Sequence, residues 1–167
     1  VGLASARALA IKGFEVHVFE RTYGAVGASI RNFGMIWPIG QPSGKLYQRA
    51  MRSRSIWKSM SDAGVFWHDP VGSLHVAYTD DEEKVLQELA QLFGNERNCR
   101  FVPPQEVEKY STAVLMEGCK GALYSPDELI VDPREAIATL PEFLEQNHGV
   151  QFHWGKCVTY IADQTVY

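Results

Sequence analysis

The sequence is poor in cysteine, and the three it has, Cys99, Cys119 and Cys157, are odd in number and far apart. That excludes a disulfide framework and a CxxC metal site, so no metal is expected, and it implies a reduced, cytoplasmic setting. No apolar run approaches the roughly 20 residues of a membrane helix, so no transmembrane segment is expected. An excess of positive charge is missing too: 16 Lys and Arg against 20 Asp and Glu give a net charge of −4. No electrostatic footprint for nucleic acid or an anionic membrane follows. Basic residues gather only at Lys45, Arg49, Arg52, Arg54 and Lys58. They share a helical pattern with Leu46, Ala50, Trp57 and Met60, the arrangement of a solvated helix face. What remains is ordinary: 167 residues, 46% hydrophobic and 22% charged, enough for one domain with a substantial core or for parts of two.

The chain alternates helical and extended patterns. LASARALAI, residues 3–11, is rich in helix formers and closes at Gly13. Gly2, Ala6 and Ala10 recur at i+4 spacing, making a slim face able to approach a sheet. FEVHVFE, residues 14–20, alternates Phe14, Val16 and Val18 with Glu15 and His17 and reads as a strand ending in an acid, with His17 structural. Residues 22–44 are irregular, with five glycines and two prolines, the mark of a functional loop. A helix is expected over 44–63, then short antiparallel strands around a turn at Asp69–Gly72, with Leu74, Val76 and Tyr78 on alternate positions. Thr79 and Glu82 form a capping box for a helix that Gly94 ends. FVPPQEVEKY holds a short helix, and 111–131 is extended or irregular. Asp132 caps a further helix, with Pro133 in its first turn, Glu135 completing the box, Pro141 expected to kink it and Gly149 stopping it. VQFHWGKCVTYIA gives two strand-like runs across Gly155.

Chemistry enters through Gly2 and Glu20, a glycine at a helix start and an acid at a strand end 18 residues later. In a dinucleotide-binding βαβ unit the last glycine of GxGxxG permits close helix–sheet packing. An acid about 20 residues on accepts hydrogen bonds from the adenosine ribose. The first strand and two earlier glycines would then precede residue 1. A strand-final Glu followed by Arg is also an ordinary strand exit. GASIRNFGMIWP, Gly27–Pro38, places Ser29, Arg31, Asn32 and glycines directly after that acid, where backbone N–H groups and polar side chains can donate to anionic oxygens. Arg31 can grip phosphate or serve a structural ion pair.

The combination Gly2…Glu20-Arg21…Ser29-x-x-Asn32-x-Gly34-Met35 resembles the FAD-dependent oxidoreductases of the D-amino-acid oxidase type, which include glycine oxidase, sarcosine oxidase and D-amino-acid dehydrogenase. SIRNFG is similar to the SxxNxG element of the D-amino-acid dehydrogenases. The run from GALYSP to KCVTYI is similar to the segment in which a substrate-domain strand leads through DP to a helix and back to the FAD domain. ASIRNFGMIWPIGQPSG most resembles a subgroup proposed to oxidise aminophosphonates. The resemblance runs along nearly the whole chain and rests on order and spacing.

The resemblance implies an α/β fold: a partial FAD-binding Rossmann-like domain of the glutathione-reductase type, with part of an α+β substrate domain containing antiparallel strands. Residues 1–44 would open the FAD domain, 45–131 belong mostly to the substrate domain, and 132–167 return to the FAD domain. Gly2 would be the third fingerprint glycine, Glu20 the ribose ligand, and Arg21 its neighbour beside the adenosine. Ser29, Arg31, Asn32, Phe33, Gly34 and Met35 would line the diphosphate and the inner part of the FAD. Val158, in the strand after the second long helix, would meet adenine through its backbone. The implied partner is a small-molecule amine: hydride passes from the carbon bearing nitrogen to the flavin, and the resulting imine hydrolyses. The family's C-terminal portion, which holds the flavin and supplies most of the substrate pocket, has no counterpart. The chain is therefore expected to be a fragment truncated at both ends and inactive alone, with no catalytic residue assigned. Among His68, His75, His148 and His153, it is His75, together with Tyr78, that is the first candidate for substrate contact.

Two other readings share these features. A nicotinamide-dependent dehydrogenase has the same opening unit, but normally continues through further βα units where this chain turns to antiparallel strands. A non-catalytic flavin-fold module is the third.

Overall fold

A computed structural model describes residues 1–163 and 165–167. The chain separates into two compact units. One comprises Val1–Gly34, Ser59–Trp67 and Val131–Tyr167, the other Met35–Lys58 and His68–Ile130.

In the first unit, helix α1 (Gly2–Ile11) is followed by strand β1 (His17–Glu20), which pairs in parallel with β8 (Gln151–Trp154) after helix α5 (Pro133–His148). Ala6, Val16, Leu144 and Val150 form the core, with Leu3, Ala10, Val18, Phe143 and Phe152 packed around it. The slim helical face thus does meet apolar partners at Ala6 and Ala10. Strand β1 starts later than its alternation suggests. Gly13 takes φ +85°, and the Phe14 N–H donates back to Leu9 O at 3.2 Å, so the helix cap consumes these residues and leaves Phe14 exposed.

Asp132 caps α5 by accepting from the amides of Arg134 and Glu135 at 2.8 and 3.2 Å. Glu135 does not complete the box; its carboxylate accepts from the Trp67 amide instead, at 3.0 Å. The helix runs as one element across Pro141 to a left-handed Gly149. His17 keeps a structural role, its Nδ1 lying 2.9 Å from Nε2 of His153 on the neighbouring strand. After Gly155 the sequence pattern misleads. Residues 155–160 form no strand, and only a short hairpin, β9 (Ile161–Ala162) with β10 (Thr165–Val166), follows.

In the second unit, β4 (Ser73–Ala77) and β5 (Arg100–Val102) flank β6 (Gly121–Ser125) in an antiparallel sheet. Leu123 packs on one face with Ile39, Cys99 and helix α3 (Asp80–Phe93). Ala122 and Val102 pack on the other with Val107 of α4 (Pro104–Val107). The expected capping box at Thr79 and Glu82 is present. The two strands around Asp69–Gly72 form, but not as a hairpin. β3 (His68–Asp69) joins β7 (Leu129–Val131) and β2 (Met35–Ile36), whereas β4 joins β6. The Gly72 amide donates to Glu128 O at 3.0 Å, so the chain turns onto a neighbour instead of back on itself. Helix α2 (Lys45–Asp62) is not solvated along its whole basic face, because Arg54 donates to Asp127 O and lies 3.6 Å from its carboxylate.

Candidate functional site

The last residue of β1 carries the central feature. Oε1 of Glu20 accepts from the Thr22 amide at 2.9 Å and from the Thr22 hydroxyl at 2.7 Å. Those bonds, the amide's first, hold the Glu20 carboxyl below its usual range against the opposing pull of burial, with Arg21 assisting. The carboxylate is therefore ionised, and both bonds from Thr22 fall on Oε1. The pairing with β8 continues past the strand end, because Gly155 N–H donates to Thr22 O at 3.2 Å and Lys156 N–H to Glu20 O at 3.0 Å. The backbone of Glu20 and Thr22 is thus held by the segment that follows β8.

Beyond Thr22 the glycine-rich loop is closed on itself. Asn32 donates from Nδ2 to Ser29 O at 2.6 Å and accepts at Oδ1 from the Gly34 amide at 2.8 Å. Its amide is a clasp across the turn Ala28–Ile30, with one Nδ2 hydrogen and Oδ1 engaged inside the loop. Gly34 has φ +69°, and a Cβ there would lie 2.0 Å from Val131 O, while Val131 N–H donates to Gly34 O at 2.9 Å. Only glycine fits that approach. Around this clasp Ser29, Arg31 and Phe33 are exposed, Phe33 by 91%. Among the described residues no carboxylate pairs with Arg21 or Arg31, so a structural ion pair does not account for either.

Three further expected residues lie on other elements. Gly2 opens α1, whose N-terminus has no side-chain cap and no acidic residue in its first turn. Among the described residues a Cβ at Gly2 would meet nothing within 4 Å. Val158 lies outside any strand and is exposed, which corrects its expected strand setting. Met35 belongs to the second unit, where it pairs with Ile130.

In that second unit, His75 accepts the indole N–H of Trp37 at Nε2, 3.2 Å away, and burial pushes its pKa below the usual histidine range. Tyr78 donates its hydroxyl to Leu115 O at 3.0 Å. Sequence reasoning missed Thr22, although a hydroxyl two residues after a strand-final acid is a recognisable clamp. It also missed the Trp37–His75 contact, which no spacing announces. Among the described residues no cluster of His, Cys, Asp and Glu is arranged to hold a metal ion, and no helix is long and apolar enough to cross a membrane.

The donor set suits a dinucleotide. An ionised carboxylate oriented by Thr22 can accept ribose hydroxyls, while Arg21 and Arg31, which pair with no carboxylate among the described residues, can meet phosphate. Comparison with known proteins agrees. The family described as FAD dependent oxidoreductase, DAO, matches residues 1–167, which sets aside the nicotinamide-dependent alternative. No curated protein matches the chain. Among solved structures it is similar to glycine oxidase from Geobacillus kaustophilus (20% identity, TM-score 0.83, covering 99% of this chain and 46% of that one). It is also similar to L-proline dehydrogenase from P. horikoshii (24%, 0.82, 99% and 45%) and to glycine oxidase from Bacillus cereus (19%, 0.80, 99% and 48%). The chain thus spans about half the length of the solved structures it matches, and at these identities the likeness is one of fold.

Proposed function

This chain belongs to the DAO family of FAD dependent oxidoreductases, and we propose that the protein carrying it oxidises the carbon–nitrogen bond of an amine or amino acid. FAD, when bound, supplies the hydride acceptor, and protein groups bind and orient. The observation that carries the reading is the Glu20 carboxylate, ionised and aimed by Thr22 at the end of the first strand, within a chain the family matches from end to end.

Its own residues take these roles in the proposal. Glu20 accepts the adenosine ribose hydroxyls, and Thr22 keeps the carboxylate oriented. Arg21 lies beside the adenosine, and Arg31 meets the diphosphate with the amide groups of the Gly27–Gly34 loop. Asn32 and Gly34 hold that loop in shape, with Ser29 and Phe33 on its outer surface and Met35 at the inner part of the FAD. Gly2 places the α1 N-terminus toward the diphosphate, and Val158 offers backbone groups to adenine. The similarity to glycine oxidases and a proline dehydrogenase supports amino acids as substrates, and the SIRNFGMIWPIGQPSG stretch supports aminophosphonates as a further class. Three free thiols, Cys99, Cys119 and Cys157, support a reduced, cytoplasmic setting.

The test is direct. The purified protein should carry visible flavin absorbance, and anaerobic addition of glycine, D-amino acids, N-methyl amino acids or aminophosphonates should bleach it. A colourless protein that FAD does not stabilise against heat overturns the cofactor assignment. A flavin-loaded protein that no amine reduces favours the non-catalytic alternative.

A further inference from the structure

The second unit holds a cavity that none of the residues assigned to FAD lines. Its volume is about 260 Å³, and its walls are Gly94, Asn98, Cys99, Arg100, Tyr124 and Pro126, all of them in the one unit. Its place follows from how α3 hands the chain to β5. The Gly94 amide closes α3 on Ala90 O at 2.9 Å, and the Gly94 carbonyl accepts from the Cys99 amide at 3.0 Å, so residues 94–99 form a closed loop. A Cβ at Gly94 would lie 2.4 Å from Ala90 O and 2.9 Å from Cys99 O, so nothing larger than glycine fits that wall. Asn98 turns the loop with φ +47°, a conformation that Asn tolerates better than most side chains, and brings an exposed side-chain amide to the rim. β5 then starts at Arg100, opposite Tyr124 of β6.

Charge at this cavity has one sign. Glu96 of the same loop does not line it. Burial, against the pull of Arg97, pushes the Cys99 thiol above its usual range and keeps it protonated, so Arg100 is the one charged group among the six. Aromatic rings, not an acid, position its guanidinium. Cζ of Arg100 lies 5.8 Å from the centre of the Tyr110 ring and 5.7 Å from that of Tyr124, and Nη2 donates to the Tyr110 hydroxyl. The two tyrosine rings pack on each other with centroids 4.5 Å apart. Among the described residues no carboxylate forms an ion pair with Arg100.

We propose that this cavity binds a small carboxylic acid as its anion, with Arg100 and the Asn98 amide on the carboxylate and Tyr124 and Pro126 against a flat hydrocarbon body. One of the five N–H donors of Arg100 serves Tyr110, and a carboxylate takes two such donors in parallel. A guanidinium already set against two rings loses little freedom on binding. A single positive charge matches a monoanion, and the tyrosine and proline walls reward a ligand with an apolar part over an inorganic anion. At about 260 Å³ the space falls below the roughly 300–1,000 Å³ of pockets for drug-sized ligands, which selects a molecule of one ring and one acid group. The assignment stands apart from the amine-oxidising reading above, because it involves neither cofactor nor turnover.

The experiment titrates the purified protein by calorimetry with sodium phenylacetate and with its neutral counterpart phenylacetamide, at constant salt. The acid is expected to bind about tenfold more tightly than the amide, the scale of a charged hydrogen-bond pair. Arg100→Gln should lower affinity for the acid about tenfold and leave that for the amide unchanged. Asn98→Gly, which relieves the left-handed backbone and so keeps the fold, should lower affinity for the acid about threefold. Where Arg100→Gln fails to fold, Asn98→Gly decides. Equal binding of acid and amide, no binding of the acid, or an affinity for it that neither substitution lowers overturns the proposal.

Discussion

Thr22 holds the Glu20 carboxylate twice through a single oxygen, with its amide 2.9 Å and its hydroxyl 2.7 Å from Oε1. A carboxylate pinned by one oxygen presents the other in a fixed direction, which a ribose site requires of its acceptor. Glu20→Ala should weaken FAD binding about tenfold or more, the scale of losing charged hydrogen bonds. Thr22→Val, which removes only the hydroxyl, should weaken it less. Flavin fluorescence titration measures both, and equal affinity in all three proteins would remove Glu20 from the ribose site.

The same pair predicts a titration. Because the folded-state pKa of Glu20 is lowered from 4.5, its contribution to stability is fully present above that value and is lost as pH falls through the folded pKa. Thr22→Val should move the Glu20 pKa back toward the ordinary value, read by carboxyl carbon NMR. No movement would mean that the hydroxyl does not bond to the carboxylate in solution.

Gly34 and Gly13 form a matched comparison. Both have positive φ, but a Cβ at Gly34 would strike Val131 O at 2.0 Å whereas one at Gly13 would meet nothing within 4 Å. Gly34→Ala should cost about 2–4 kcal/mol, combining backbone strain with a clash, and Gly13→Ala about 1 kcal/mol from strain alone. Urea denaturation of the two variants measures the difference.

Arg97 and Glu128 grip the two backbone polar groups of one residue, the C=O and the N–H of Ile39 respectively. Either truncation leaves buried polar groups unpaired, so Arg97→Ala or Glu128→Ala should cost about 3 kcal/mol. The double variant should lose less than the sum, because the two share a partner. Strict additivity in a double-mutant cycle would show that the clamp does not act as a unit.

His75 sets a second pH dependence with a defined sign. Burial lowers its folded pKa from 6.5, so the unfolded chain binds the extra proton first. Stability should fall as pH drops below about 6.5 and keep falling until the folded pKa is passed. His75→Gln should flatten that part of the profile. A slope that survives the substitution would assign it to another group.

The sequence by itself determined what local chemistry controls. The caps at Thr79 and Asp132 both start helices, because a short polar side chain reaches amides two or three residues away. The Gly2–Glu20 spacing is a helix followed by a strand, whose lengths are set by periodicity. Phe14 and the 155–160 segment escaped that logic: a helix cap took one from its strand, and the other divides its backbone bonds between Glu20 and Thr22 at one end and Tyr167 at the other without forming a strand. Tertiary structure alone decided the pairings. Whether β4 joins β3 or β6 depends on which neighbour offers unpaired backbone groups, and alternation is the same for both. It also decided which polar side chains are engaged: Asn32 is occupied inside its loop, Arg31 is not, and Trp37 meets a histidine 38 residues away. Such contacts depend on the packed geometry of distant segments, which no spacing along the chain encodes.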